Sequence, residues 1–405
     1  MADSMLYRRP IGWMDLIDRR KLPEVIYVTR PAMPRFEGYV QMLAGIWERK
    51  WLTNQGPLHE DFENKLRTFL GVEHLSLFCN GTIALLVALE ALRINNGEVI
   101  TTPFTFPATT HALYWNRVRP VFCDIDPVTL NLDPAKIERL ISPDTRAILA
   151  VHVYGRPCGV EAIERIANVH GLHVIYDAAH AFGVRYKEGP LLSYGDISVL
   201  SFHATKLFST IEGGALVCGS DVLRRRVNSL KNFGIADEET VIGPGINGKM
   251  NEFQAAFGLL QLDLVGQEVC HRRDLALLYK QLLGGTPGIS VLAEMPDTEP
   301  THAYFPVLID PGRFGMTRDE LFVLLRECNV HARKYFYPLI SRASCYAALP
   351  SAAEANLPVA ERISREVLCL PIYGSLEPGT VRSICEIIIE AQELATAATV
   401  DLVGS

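Results

Sequence analysis

No apolar run in this 405-residue sequence approaches the roughly 20 residues that a bilayer-spanning helix requires, so a membrane protein is not expected. The opening stretch, MADSMLYRRPIGWMDLIDRR, carries neither an apolar core nor a cleavage signature, which argues against export and for the cytoplasm. The cysteines number 9, an odd count, and show no CxxC spacing. That pattern argues against a disulfide framework and against a zinc site. Cys79, Cys123, Cys218 and Cys369 stand inside apolar runs and read as small core hydrophobes. A basic excess is also lacking: 39 Lys and Arg face 46 Asp and Glu, a net charge of -7. Nonspecific nucleic-acid binding is therefore disfavoured. The one short basic run, Arg224-Arg225-Arg226, reads as the wet face of a helix. No repeat, heptad array or low-complexity stretch is present.

What the sequence does have is apolar material, 48% of residues, enough for the cores of two domains or three. From about residue 75, short β-branched runs alternate with amphipathic patterns. Strands are expected at 75–79, 98–102, 120–124, 146–153, 173–176, 198–202 and 215–218. Helical spacing predicts helices at 82–92, 108–114, 134–140 and 160–169. Strand, helix, strand in succession implies right-handed crossovers and an α/β fold with a mostly parallel sheet. The last strands, up to Cys218, leave little room for helices, so an antiparallel portion is expected there. Helices follow at 221–232 and 251–264, and a further long helical pattern begins after Cys270. Strands at 301–309 and 330–333 and a closing helix at 382–394 suggest a smaller α+β domain. The division expected is an N-terminal extension (1–28), a large domain (29–270) and a small C-terminal domain (271–405). The second boundary is soft, since no Pro/Gly linker marks it.

In an open α/β sheet, ligands bind where the strands end, and three polar clusters fall there. The first is Asn80-Gly81-Thr82, between a strand and a helix. Backbone N–H groups at such a helix start form a seat for phosphate, although Asn80 serves equally as a plain N-cap. The second is Asp177-Ala178-Ala179-His180, where the carboxylate is either a cap or a functional acid. The third is SFHATKLFSTIEGG, residues 201–214. A lysine after a strand is usually solvated. In a partly dry pocket, however, its ammonium form is disfavoured and it becomes a nucleophilic amine.

Together the clusters fit pyridoxal phosphate (PLP) chemistry. That cofactor needs a lysine for its aldehyde, an acid for its ring nitrogen, a phosphate cup and a flat group over the ring. Lys206 and Asp177 supply the first two, and two neighbouring strands can bring them to one ring. Phe106, in TTPFTFPATT, can supply the stacking face, or can equally be a core aromatic.

The strings WLTNQGPL, FCNGTIAL, TTPFTFPATTHAL, DAAHAFG, SFHATKLFSTIEGG and GINGKMNEFQAAFGLLQL closely resemble the DegT/DnrJ/StrS family of nucleotide-sugar aminotransferases. The resemblance runs in order from about residue 29 to about 373. It implies PLP fold-type I, the aspartate aminotransferase-like architecture, and a homodimer whose active sites are built across both subunits. It implies that Lys206 forms the Schiff base and shuttles the proton, and that Asp177 pairs with the pyridine nitrogen. His180 stands where the family often has Gln, hydrogen-bonding the ring oxygen. Phe106 matches the stacking aromatic, and Gly81, Thr82 and Ser201 match phosphate contacts. Asn247 matches a residue that reaches the phosphate from the other subunit. His203 and Lys249 have matching neighbours without a fixed role. Family members that are dehydratases carry His at the position of Lys206, so the lysine favours transamination. The SFHATK…EGG form resembles enzymes that aminate C4 of a dTDP-4-keto-6-deoxyhexose, whereas C3 aminotransferases more often read YPxKNLGALGD. The implied cycle is ping-pong, from L-glutamate through pyridoxamine phosphate to the keto sugar. Arg333 and Lys334, in HARKYFYP, are candidates for the nucleotide diphosphate, or equally a solvated strand end.

Two rival readings are weaker. Gly243, Gly245 and Gly248 satisfy GxGxxG, and the run to Lys249 nearly satisfies a P-loop. Met250 stands where the P-loop needs Ser or Thr, and the preceding DEETVI is too polar for the buried strand of a dinucleotide fold. A non-catalytic protein that merely keeps the fold is disfavoured because lysine, acid, aromatic and phosphate seat are all intact.

Overall fold

The structure, a computed structural model, describes residues 12–403; the first part of the expected N-terminal extension, residues 1–11, lies outside them. Seven strands form the central sheet: β1 (Leu75–Phe78), β2 (Glu98–Thr101), β3 (Arg119–Phe122), β4 (Thr145–Val151), β5 (His173–Asp177), β6 (Ile197–Ser201) and β7 (Gly214–Cys218). Their order is β1-β7-β6-β5-β4-β2-β3. Strands β1, β2 and β7 are buried along their whole length, as expected of a sheet covered on both faces, where strands read as unbroken apolar runs. One face is covered by α4 (Gly81–Ala91), a nearly all-apolar helix whose Leu85, Ala88 and Leu89 pack over Val99, Leu149, Ile175 and Val199. The other face carries α3 (Pro57–Leu70), α6 (Val160–His170) and the start of α8 (Glu252–Leu283). Gly258 makes that packing possible, because a Cβ there would lie 2.7 Å from the Phe62 ring.

Only β7 is antiparallel, pairing that way with both β1 and β6, while β6 runs parallel to β5. The expectation of an antiparallel portion holds for the last strand alone. The 12-residue turn from Phe202 to Gly213 simply folds back between β6 and β7, whereas the chain between β5 and β6 crosses back to the sheet's starting edge. As a result the first residue of β7, Gly214, lies at the same end of the sheet as Ser201 and Phe78, with which it pairs.

The helix expected over 134–140 is two separate 3-10 turns, Pro134–Lys136 and Glu138–Leu140. Asp133 caps the first turn, and Lys136 bends back to Asp124 and Asp133. The helices expected at 251–264 and after Cys270 are one continuous 32-residue helix, α8, opened by an Asn251/Gln254 capping box. Beyond it, β8 (Ile289–Val291), β9 (Phe305–Ile309) and β10 (Val367–Leu370) form an antiparallel sheet in the order β8-β9-β10. Its core joins the end of α8 to α9 (Arg318–Glu327) and the closing helix α11 (Pro378–Val403), with α10 (Pro358–Glu366) alongside. The strand expected at 330–333 shortens to Val330–His331, because its partner is the two-residue strand Ile26–Tyr27.

While Val28 joins a separate cluster with Phe104 and Phe122, residues 13–26 pack on this second core. Helix α1 (Trp13–Arg20) buries Trp13, Leu16 and Ile17 against it. The Trp13 indole donates to Glu327 at 3.2 Å, and Arg20 pairs with Glu386 and Glu390 on α11.

Candidate active site

The carboxyl ends of β1, β4, β5 and β6, the turn after β2 and the turn before β7 meet around one cavity of about 570 Å³. Asn80, Gly81 and Thr82 form one wall. The Asn80 side chain accepts from the Ile83 backbone N–H at 2.8 Å, so it is the N-cap of α4. The Gly81 and Thr82 N–H groups, at the positive end of that helix, have no intrahelical acceptor. The first turn of α4 contains no acidic residue that would repel an anion. Two glycines draw this wall close to its neighbours. A Cβ on Gly81 would lie 3.0 Å from the Ser201 Cβ, and one on Gly214 would lie 2.8 Å from the Gly81 nitrogen. Ser201 lines the cavity beside them. The whole forms a compact, uncharged, donor-rich wall at a helix start, the kind of surface that suits an anion.

Asp177, the last residue of β5, is buried. Its Oδ1 accepts from the Ala179 N–H at 3.1 Å and its Oδ2 from the Thr109 hydroxyl at 2.7 Å. Thr109 is itself 2.8 Å from the Thr105 hydroxyl. Burial pushes the Asp177 carboxyl up, while Thr109, the Ala179 N–H and the Lys206 charge oppose the rise. His180, also buried, accepts from the Tyr154 backbone N–H at Nδ1, 3.2 Å. That bond leaves the ring proton on Nε2, where it is a donor. Burial and the nearby Lys206 charge hold the His180 imidazole neutral, well below its ordinary pKa.

Lys206 stands in the turn after β6, and its Nζ donates to the Tyr304 hydroxyl at 3.3 Å. Burial lowers its pKa, with Asp177 and Tyr335 pulling the other way. A lysine so placed spends more of its time as the free amine than a solvated one does. Phe106, the N-cap residue of α5 (Pro107–Trp115), lines the cavity yet is 58% exposed, so it is not a core aromatic. His203 lies at the rim, 2.8 Å from the Thr205 hydroxyl and 3.6 Å from a Glu212 carboxylate oxygen.

Lys206, Asp177, His180, Phe106, Gly81, Thr82, Ser201 and His203 thus surround one cavity. Asn247, Lys249, Arg333 and Lys334 do not line it. Asn247 is exposed on a loop that bridges to Asn232, and Lys249 donates to Asn232 at 2.8 Å and lies over Phe233. Arg333 is exposed, bridged through its backbone to Cys369, and Lys334 pairs with Asp319. Sequence reasoning missed Thr105, Thr109, Tyr154, Tyr304, Tyr335 and Phe336. The four-residue spacing of Thr105 and Thr109 in TTPFTFPATT was a usable signal, whereas the aromatics lie far away in sequence. Among the described residues no group of three or more His, Cys, Asp or Glu is placed to hold a metal ion.

A lysine amine and a buried carboxylate at the strand ends of a seven-stranded α/β sheet fit an aminotransferase of PLP fold-type I. The chain belongs to the DegT/DnrJ/EryC1/StrS aminotransferase family, whose sequence profile matches residues 37–389. It is 48% identical over 369 residues to the dTDP-4-amino-4,6-dideoxy-D-glucose transaminase of Escherichia coli, covering 90% of this chain and 98% of that protein. The enzyme of the same name from Shigella dysenteriae is 47% identical, with the same coverage. Among solved structures, DesI in the presence of its TDP-sugar product superposes with a TM-score of 0.89 at 33% identity, covering 94% of this chain and 97% of that one.

Proposed function

We propose that this protein uses PLP to transfer an amino group from L-glutamate to C4 of a dTDP-4-keto-6-deoxyhexose. The observation that carries the cofactor reading is the convergence of Lys206 and Asp177 on one cavity whose wall is the donor-rich start of α4. Bound there, PLP supplies an electron sink and carries the amino group between donor and acceptor. Gly81, Thr82 and Ser201 hold its phosphate, Asp177 faces its ring nitrogen, His180 donates from Nε2 to its ring oxygen, and Phe106 covers one face. Lys206 is the covalent anchor and, when free, the base that moves the proton at the substrate carbon. The substrate reading rests on the relatives: two transaminases whose names specify a 4-amino-4,6-dideoxy sugar on dTDP, and DesI, solved with a TDP-sugar.

The same reading makes the working unit a homodimer. The loop carrying Asn247 and Lys249 exposes Phe233, Ile235, Ile242 and Ile246, and elsewhere Trp47, Trp51 and Leu52 are exposed as well. So much apolar surface suits a partner subunit, which Asn247 would serve at the phosphate and Lys249 near the sugar. Arg333, whose guanidinium makes no hydrogen bond or ion pair among the described residues, is assigned to the nucleotide diphosphate together with Lys334. Nine unpaired thiols suit the reducing cytoplasm.

The test is the visible spectrum of the purified protein with PLP, before and after L-glutamate, for wild type and Lys206→Ala. Wild type should be yellow and lose its colour with glutamate; Lys206→Ala should lack the lysine-bound band. A wild type that stays colourless with added PLP refutes the cofactor assignment. Turnover of dTDP-3-keto rather than dTDP-4-keto sugars would reassign the position to C3.

A further inference from the structure

The cavity contains a tyrosine with no role in the cofactor scheme above. Tyr304 stands immediately before β9, on the small sheet, and Lys206 stands in the turn after β6, on the large one. The 3.3 Å contact between the Tyr304 hydroxyl and Nζ is the one side-chain hydrogen bond that Lys206 makes among the described residues. The ring is fixed from three sides. It lies 4.5 Å from the His180 ring, 5.9 Å from Tyr154 and 5.9 Å from Tyr335, the last edge-on. Behind it lies a second, smaller cavity of about 90 Å³ lined by Tyr154, Arg156, Met295 and His302, so Tyr304 is the partition between the two.

We propose that Tyr304 is the positioning residue for Lys206, its hydroxyl holding the lysine amine over the reacting carbon whenever that amine is free. The inference rests on the reading of Lys206 as the cofactor lysine. Lys206 must leave the cofactor in the glutamate half-reaction, stay free while the cofactor carries the amino group, and return to it at the end of the sugar half-reaction. A four-carbon stem with an unheld amine carries large rotamer freedom, and each return would have to restrict it again. Tyr304 suits the holding role in both protonation states. Burial raises its phenol pKa, so the hydroxyl stays neutral at working pH. It accepts from the ammonium and donates to the free amine. Because it makes no other hydrogen bond among the described residues, its proton is available for the second arrangement.

The variant that isolates the hydroxyl is Tyr304→Phe, which keeps the ring and the partition. In the full chain freed of cofactor, the pH dependence of Lys206 labelling by acetic anhydride, read by mass spectrometry, reports the amine's pKa directly. The bond to the ammonium is charge-assisted and stronger than the bond to the free amine, so losing both lowers that pKa by the difference, roughly half a unit to one unit. In the loaded enzyme the glutamate half-reaction should slow about 3- to 10-fold, with the apparent dissociation constant for the dTDP-sugar unchanged. Superimposable labelling profiles with an unchanged half-reaction would overturn the proposal and leave Tyr304 as a wall. A control arm separates the two readings: PLP should protect Lys206 from labelling in both proteins. If it protects neither, the lysine assignment fails, and this inference fails with it.

Discussion

Thr109→Val tests how the fold keeps a buried acid ionised. Asp177 can only accept hydrogen bonds while charged, so the 2.7 Å contact puts the Thr109 proton on Oδ2, and Thr105 must donate to Thr109 in turn. The result is an ordered chain, Thr105 to Thr109 to Asp177, made of three buried side chains. It opposes the burial that already raises the Asp177 carboxyl. Valine keeps the shape and removes one charge-assisted bond of ~1.5–3 kcal/mol. At ~1.4 kcal/mol per unit, the Asp177 pKa should rise by a further one to two units, roughly. Titrating the cofactor-free chain with PLP across the acidic and neutral range should show the acidic limb of binding displaced upward by that amount. The plateau at higher pH should stay near wild type, and Thr109→Ser should restore the original limb. Stability has a matching sign. A carboxyl raised above its unfolded pKa favours the fold at low pH and loses that contribution as pH rises through the folded value. Guanidinium unfolding should therefore find Thr109→Val weaker at neutral pH, with the gap closing in acid. An unmoved limb, or an affinity lowered by one factor at every pH, would refute the chain's role.

Other expectations follow from single contacts. Gly214→Ala would place a Cβ 2.8 Å from the Gly81 nitrogen and the Leu200 carbonyl oxygen, an overpacking that costs ~1–3 kcal/mol. It should weaken PLP binding more than pyridoxal binding, and equal losses would remove the phosphate from this seat. His180→Phe strands the buried Tyr154 N–H and should cost about 1–3 kcal/mol in guanidinium unfolding, while His180→Gln, which offers an acceptor, should cost less. Lys231 is buried, donates to the Leu77 carbonyl at 3.1 Å, and is lowered by burial from 10.5 to about 8. Its folded pKa lies below the unfolded one, so wild type should gain about 3 kcal/mol as pH rises through that window. Lys231→Met should lack this gain, and parallel unfolding curves for the two proteins across that pH range would show that Lys231 is solvated.

What could be read in the sequence was local, and what could not was a contact between distant segments. Strands β1, β5 and β7 stood out because a strand covered on both faces must be apolar at nearly every position, as in LSLF and GALVC. Gly81, Asp177 and Lys206 stood out because each breaks such a run at its end, where an α/β sheet opens to ligands. The stretch 134–140 misled because its apolar spacing is too short to outweigh Asp133 and Lys136, which bend the backbone into separate turns. Tyr304 could not be found this way. Its neighbours THAYFPV describe a strand start, and its function depends on an amine 98 residues earlier. Tyr335 and Phe336 reach the same cavity from the segment after Val330–His331, so chain outside the large sheet furnishes the wall that faces the lysine. The large sheet could thus supply every group in the cofactor scheme and still leave Lys206 unheld. A shift of β9 relative to β6 would change the Lys206–Tyr304 distance directly, whereas Asp177 and the phosphate seat are both held within the large sheet and its helices. The Lys206–Tyr304 contact therefore ties the reactive amine of the large sheet to the small one.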